Sequence, residues 1–340
     1  MAAIDDGALR GRPNRRSEGG TVRLTTVSGG ERWGIGAMAV DAAAIGPAGM
    51  EHVDDWIDVD RAHTHKRFDE AVLVRRTRRL SAHEMSFELR KPVGAQGELS
   101  MAVSEWTRQV VIACAHHHFA VPLGWAFVMR RLTVQIEGRG AQDGRVPDAD
   151  IAVSRVVERS GALRSLDARV TFRVDGRIVA RGFGDLQVLP PGVYTRMRRH
   201  APISSGLEPA PPGSAALSIV AKGSGIWQIR FDPHDPFYFD HPLDHIPGML
   251  LVSALRSVAL RESRLAADDL RSFDGVFCRF AELTEPLDVH VTEHAVRFDE
   301  DAFEMEIRNL REQTVATATI HARSRGPRES VTAVRERAGA

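Results

Sequence analysis

Cysteine is nearly absent: Cys114 and Cys278 are the only two in 340 residues, far apart and outside any metal or redox spacing. A disulfide framework, a cysteine-built zinc site and a dithiol redox centre are therefore excluded, and a reducing cytoplasm is the expected setting. Neither sign of charge is in excess, with Lys+Arg and Asp+Glu at 45 each. No global field then draws the chain to nucleic acid or an anionic membrane. Lysine is scarce as well, arginine carrying nearly all the positive charge beside Lys66, Lys91 and Lys222. No run approaches the roughly 18 apolar residues of a membrane span. The first residues lack the apolar core and cleavage pattern of a signal peptide. Glycine-rich nucleotide loops are missing from any strand–turn–helix setting, which argues against nicotinamide and ATP chemistry and for no cofactor.

What is present is ordinary in bulk, 43% hydrophobic and 26% charged, as in a folded globular protein. The length suits two domains or one large one. Residues 1–60, rich in Gly, Ala, Arg and Asp, predict a loosely ordered arm with short ordered pieces near Trp33 and Trp56. Residues 61–188 hold short strands, a helix over 101–118 with apolar residues on most sides, and four further strand patterns. Asp175-Gly176 between two alternating runs marks a hairpin turn. A Pro-rich linker is expected over 189–214, from its Pro-Pro-Gly and Glu-Pro-Ala-Pro-Pro-Gly composition. The pattern then repeats over 215–325, with a polar tail at 326–340. Each helix is too apolar to lie on a surface, so the sheet must wrap it. The expectation is an α+β double hotdog, two repeats of a buried helix in an antiparallel sheet.

The second repeat contains the densest chemistry. Residues 231–256 pack histidines, aspartates, aromatics and prolines into an irregular approach that turns at Pro247-Gly248 into an apolar helix. The first turn of that helix offers unpaired backbone N–H groups to whatever the loop holds. Two other readings attach to the same residues. The aspartates and histidines serve turns, or His234, Asp240, His241, Asp244 and His245 ligate a metal. Against the second, the prolines break any helical ligand spacing.

The run from Asp235 to Leu251, Asp-Pro-Phe-Tyr-Phe-Asp-His-Pro-Leu-Asp-His-Ile-Pro-Gly-Met-Leu-Leu, closely resembles the second-repeat motif of the A-factor biosynthesis (AfsA-type) hotdog family. The first repeat is similar to it in His65-Lys66, Ala71-Val72-Leu73-Val74, Glu105-Trp106-Thr107-Arg108-Gln109 and Val121-Pro122-Leu123-Gly124. The likeness runs over roughly residues 62–325. It implies an acyltransferase of γ-butyrolactone-type autoregulator biosynthesis. Such an enzyme moves a β-ketoacyl group from an acyl carrier protein thioester to the hydroxyl of dihydroxyacetone phosphate. Where the family's second helix reads Glu-Ala-Ala-Arg-Gln, this chain has Ser253-Ala254-Leu255-Arg256-Ser257, and the loop before the first helix carries no histidine.

One composite site is therefore expected, with Glu105 of the first helix facing the loop of the second repeat, and a degenerate reciprocal site at Ser253. Glu105 is the expected base. His241 and His245 are both candidate catalytic imidazoles, with His241 ahead because His245 lies nearer the turn and is placed to fasten it. The Gly248 and Met249 amides would meet the oxyanion. Arg108 or Arg256 would hold the acceptor phosphate, and Gln109 and Asp240 complete the expected substrate-binding set. His116, His117 and His118 suit the end of a helix, and Cys114 its core. Two other functions fit the same fold: a non-catalytic ligand-binding or regulatory protein, and a dehydratase or thioesterase acting on acyl thioesters. No metal is called for, and association of two chains is left open.

Overall fold

The computed structural model describes residues 55–92, 98–137, 145–202, 216–240, 243–297 and 299–323, and the backbone of Arg23–Thr26. The expected polar tail lies outside these residues, as do Trp33 and most of the expected arm. Within the arm, Arg23–Thr26 forms β1 and Ile57–Asp58 forms β2. The guanidinium groups of Arg76 and Arg78 lie over the Trp56 ring at 5.5 and 4.8 Å from its centroid.

The first repeat runs β3 (Val74–Arg79), β4 (Glu84–Leu89), α1 (Leu99–Phe119), β5 (Ala126–Ile136), β6 (Asp148–Arg159), β7 (Ala162–Val174) and β8 (Arg177–Leu189). A short helix, α2 (Pro191–Arg198), follows. The second repeat runs β9 (Leu217–Gly223), β10 (Ile226–Phe231), α3 (Gly248–Ser263), β11 (Leu270–Phe277), β12 (Leu287–Arg297), β13 (Glu300–Asn309) and β14 (Thr314–Arg323). The antiparallel strands form one continuous path, β2-β3-β4-β6-β7-β8-β5-β11-β14-β13-β12-β10-β9, with β1 on β6. This is the double hotdog.

Its physical cause is the apolarity of the two long helices. In α1, Val103, Trp106, Val110, Val111, Ala113 and Cys114 spread over every face and are all buried. Such a helix has no side to give to water, and each Val or Trp enclosed contributes roughly 1.5–3 kcal/mol. Strand faces supply the enclosure by alternation: Phe303, Met305 and Ile307 of β13 are buried at every second position against the core around α3. Ala120, with φ 49°, ends α1 in the left-handed region and returns its N–H to the Ala115 carbonyl. Asp175 and Gly176 both have positive φ, 49° and 74°, giving the tight turn between β7 and β8.

Two contacts set the positions on which the site depends. The halves join where β11 pairs β5, Gly275 opposite Leu132, and Asp274 accepts from Arg131 Nε at 2.8 Å and Thr133 Oγ1 at 2.9 Å across that seam. On the other edge of β5, Gly182 and Gly184 of β8 let α1 approach the sheet. A Cβ on Gly182 would stand 2.1 Å from Thr107 Oγ1. Gly182→Ala is therefore expected to destabilise the fold by about 1–3 kcal/mol. The cost should shrink in a Thr107→Ala background, as urea unfolding in a double-mutant cycle would measure.

The segment expected as a linker carries α2. Its composition reads as a connector, yet Tyr194 and Arg198, one turn apart, fasten it to the second repeat while the rest of the helix is exposed.

Candidate functional site

A cavity of about 740 Å³ lies between α1, the loop before α3, the start of α3, β5, α2 and residues 277–281. Its apolar surface includes Ile112, Met129, Leu186, Leu251 and Phe277. Both tyrosines of the chain, Tyr194 and Tyr238, line it. Two polar groups meet across it, one from each repeat.

The first is centred on Glu105, which α1 carries into the interior at 3% exposure. Arg108, one turn on, donates to both of its oxygens, Nε at 3.0 Å and Nη2 at 2.7 Å. Gln109 Nε2 donates at 2.8 Å and Lys66 Nζ stands 3.3 Å away. Burial pushes the Glu105 carboxyl up, but the charges of Arg108 and Lys66 and the bonds from Arg108 and Gln109 outweigh this and bring it down to about 2. Lys66 Nζ also stands 4.0 Å from Asp240, which accepts from the Arg67 amide at 3.1 Å. Glu105 of the first repeat thus faces Asp240 of the second repeat's loop through Lys66.

The second group is a carboxylate–imidazole pair. His245 Nδ1 lies 2.7 Å from Asp244 Oδ1. Tyr194 OH donates to the same oxygen at 2.7 Å, and Arg198 Nε to Oδ2 at 2.9 Å. The bond from His245 holds the Asp244 carboxyl well below the usual range; burial opposes this, and Tyr194 and Arg198 reinforce it. Arg198 is anchored in turn by Glu282 at 2.7 and 2.8 Å. The Phe280 ring packs edge-on to His245 at 4.9 Å. With Nδ1 committed to Asp244, Nε2 is the imidazole nitrogen left for a substrate.

The other expected residues divide. Asp240, His245, Gly248, Met249, Glu105 and Arg108 all line the cavity. His241 lies outside the described residues. Gln109 is brought beside the site but not into it, because its amide also serves Leu73 N and Ala71 O. Arg256 is not brought there at all: it sits in the reciprocal position, donating to Ser100 Oγ at 2.6 Å and paired with Glu98. Ser253 Oγ there meets Met101 Sδ at 3.5 Å. The cleft lined by Ser100 and Arg256 encloses only about 10 Å³.

The loop also contains turn-serving aspartates, since Asp232 accepts from His234 N at 2.9 Å and Asp235 from Phe237 N at 2.9 Å. No group of three or more His, Cys, Asp or Glu side chains among the described residues is placed to hold a metal ion. His116 Nδ1 donates to Val121 O at 2.7 Å, its Nε2 stands 3.1 Å from His65 Nε2, and burial lowers its pKa. Burial, with His63 and His116 alongside, brings His117 down to about 4. Burial likewise pushes the Cys114 thiol up to about 12, which leaves it inert as a nucleophile.

Sequence reasoning passed over Lys66, Tyr194 and Arg198 as functional groups, and weighed Asp244 only as a turn residue or a metal ligand. The scarcity of lysine and tyrosine was the available signal, because Lys66 and both tyrosines are spent on this cavity. Among the described residues no helix is long and apolar enough to cross a membrane.

The chain is similar in sequence to synthases of three Streptomyces species. A 2-oxo-3-(phosphooxy)propyl 3-oxoalkanoate synthase of Streptomyces virginiae is 30% identical over 205 residues, 55% of this chain and 68% of that one. Synthases of the same name from Streptomyces coelicolor and Streptomyces griseus are 30% and 27% identical, over 59% and 66% of this chain and 68% and 75% of theirs. The profile of the A-factor biosynthesis hotdog domain matches residues 51–190 and 218–325, both repeats with their share of the cavity wall, and the chain belongs to that family.

Proposed function

We propose that the protein transfers a 3-oxoacyl group from a carrier-protein thioester to the hydroxyl of dihydroxyacetone phosphate, giving a 2-oxo-3-(phosphooxy)propyl 3-oxoalkanoate. The product named for its relatives supports the substrate class. The observation that carries the chemistry is the Asp244–His245 pair on the wall of a largely apolar cavity. We assign the base to His245 rather than Glu105. A carboxylate held at about 2, with its oxygens already bonded to Arg108 and Gln109, is far from the basicity a proton acceptor needs at neutral pH.

In this assignment His245 Nε2 takes the proton of the acceptor hydroxyl as its oxygen attacks the thioester carbonyl. Asp244 holds the ring in the required tautomer and stabilises the imidazolium. The N–H groups of Gly248 and Met249, at the open end of α3 where no side chain caps the helix, receive the oxyanion. Collapse breaks the C–S bond, and the imidazolium returns its proton to the leaving thiolate. Glu105 has a positioning role, fixing Lys66 and Arg108 as donors for the 3-oxo oxygen of the acyl chain. The apolar surface takes the chain itself. Both cysteines are free, in keeping with a cytoplasmic reaction.

Thiol release from a 3-oxoacyl carrier protein tests the proposal. It is expected to require dihydroxyacetone phosphate. Equal release without the acceptor, yielding free 3-oxo acid, would make the protein a thioesterase instead.

A further inference from the structure

Among the described residues four cationic side chains line the cavity: Lys66, Arg108, Arg130 and Arg279. Three are committed to carboxylates. Lys66 stands between Glu105 and Asp240, Arg108 grips Glu105, and Arg130 donates to Asp185 Oδ1 at 2.9 and 2.5 Å. Arg279 differs. Its Nε donates to the Thr314 carbonyl at 2.9 Å and its Nη1 to the Gln313 amide oxygen at 3.2 Å, both neutral acceptors. Among the described residues Nη2 has no partner and the guanidinium charge meets no carboxylate.

The side chain is nonetheless held in place. Arg279 N and Cys278 N donate to Val315 O at 3.3 and 2.8 Å, and the Ile246 amide donates to Ala281 O at 2.8 Å. This pins residues 278–281 against the end of the loop that carries the catalytic pair. Phe280, the next residue, packs on His245 at 4.9 Å and beneath Arg198 at 4.5 Å. Arg279 therefore stands at the exposed rim of the cavity, one residue from the ring that supports the imidazole.

We propose that Arg279 forms the phosphate subsite of this cavity. The inference rests on the transferase reading for the identity of the ligand, but not for the binding of an anion. A phosphate driven inward to Arg108 would lose its water beside Glu105 and Asp240, at a prohibitive desolvation cost. At the rim it keeps part of its hydration and meets a preset guanidinium whose planar fork suits two phosphate oxygens. Two substrates bring phosphate to this rim, the acceptor with its monoester and the carrier's pantetheine arm with its diester.

The test uses the full chain and its Arg279→Ala and Arg279→Lys variants. Calorimetric titration with dihydroxyacetone phosphate is followed by KM measurements on four substrates. These are dihydroxyacetone phosphate, unphosphorylated dihydroxyacetone, the carrier-protein thioester and the phosphate-free N-acetylcysteamine thioester. The alanine variant is expected to raise KM roughly tenfold to a hundredfold for one phosphorylated substrate and to leave its phosphate-free counterpart unchanged. Lysine should recover only part of the loss. A rise for dihydroxyacetone phosphate assigns the subsite to the acceptor, and a rise for the carrier thioester assigns it to the arm. Unchanged constants for both, or equal rises with and without phosphate, overturn the proposal. Arg279-dependent binding without any ester from the wild type would keep the subsite and remove the transferase.

Discussion

Replacing His245 with alanine is expected to lower ester formation by about 10²–10⁴-fold, the usual worth of a positioned general base. The loss should fall on kcat, because the side chain acts on a proton rather than on the ground-state fit of either substrate. Folding should persist, since His245 is only half-buried and Asp244 keeps Tyr194 and Arg198 as partners when the ring is gone. Asp244→Asn is the informative companion. An amide in that position presents a donor as readily as an acceptor, and so favours the imidazole tautomer whose Nε2 carries the hydrogen. The expected result is a large fall in kcat with substrate KM values little changed. Steady-state kinetics on the two variants, with thermal unfolding as the control for folding, decides the matter. Full activity in His245→Ala would remove the base from this side of the cavity and return attention to His241.

Glu105→Ala is expected to have the largest effect on stability, about 3–5 kcal/mol, because it takes from the buried Lys66 and Arg108 the carboxylate they share and leaves Asp240, 4.0 Å from Lys66, as the remaining acid. The Lys66 and Arg108 side chains are only 9% and 17% exposed, and among the described residues Glu105 is the one carboxylate within ion-pair distance of both. Replacing Lys66, Glu105 and Arg108 together by apolar residues of similar size should cost much less than the single change. That non-additivity marks a network rather than three separate contacts. The sign of the pH dependence follows from the lowered carboxyl. Glu105 moves from an ordinary 4.5 to about 2 on folding, so the folded state binds this proton less readily than the unfolded chain. Its stabilising contribution is complete above pH 4.5 and is lost as pH falls toward 2. In urea unfolding, the gap between wild type and Glu105→Ala should stay level from neutral pH to about 5 and close progressively below 4.5.

The repeats were legible because their physics is local. Period-two burial in strands such as β13, the all-round apolarity of α1 and the Asp175-Gly176 turn each follow from neighbouring residues. Glu105, Asp240 and His245 were legible for a related reason: an acid inside an apolar helix and a proline-bound histidine loop are odd on their own. Partnerships across the chain were not. Helix α2 has eight residues and starts within Pro-Pro-Gly, too few to be stable alone, and contacts with Asp244, Phe280 and Glu282 of the second repeat hold it. Lys66 stood in a recognisable pair with His65, but its role exists only because Glu105 and Asp240 converge on it. Arg256 shows the opposite failure. It matches Arg108 in the repeat pattern, yet the pseudo-symmetry that relates the helices turns it toward the reciprocal cleft, where Ser100 and Glu98 take its guanidinium. A repeat in sequence gives equivalent positions, and equivalent positions face different clefts.

The most direct test is mass spectrometry of the products formed by the purified protein from a 3-oxoacyl carrier protein and dihydroxyacetone phosphate, beside His245→Ala. A transferase built on this cavity gives the 2-oxo-3-(phosphooxy)propyl 3-oxoalkanoate ester from the wild type and little or none from the variant. Free 3-oxo acid alone, or no product from a wild type that still binds both substrates, would contradict it.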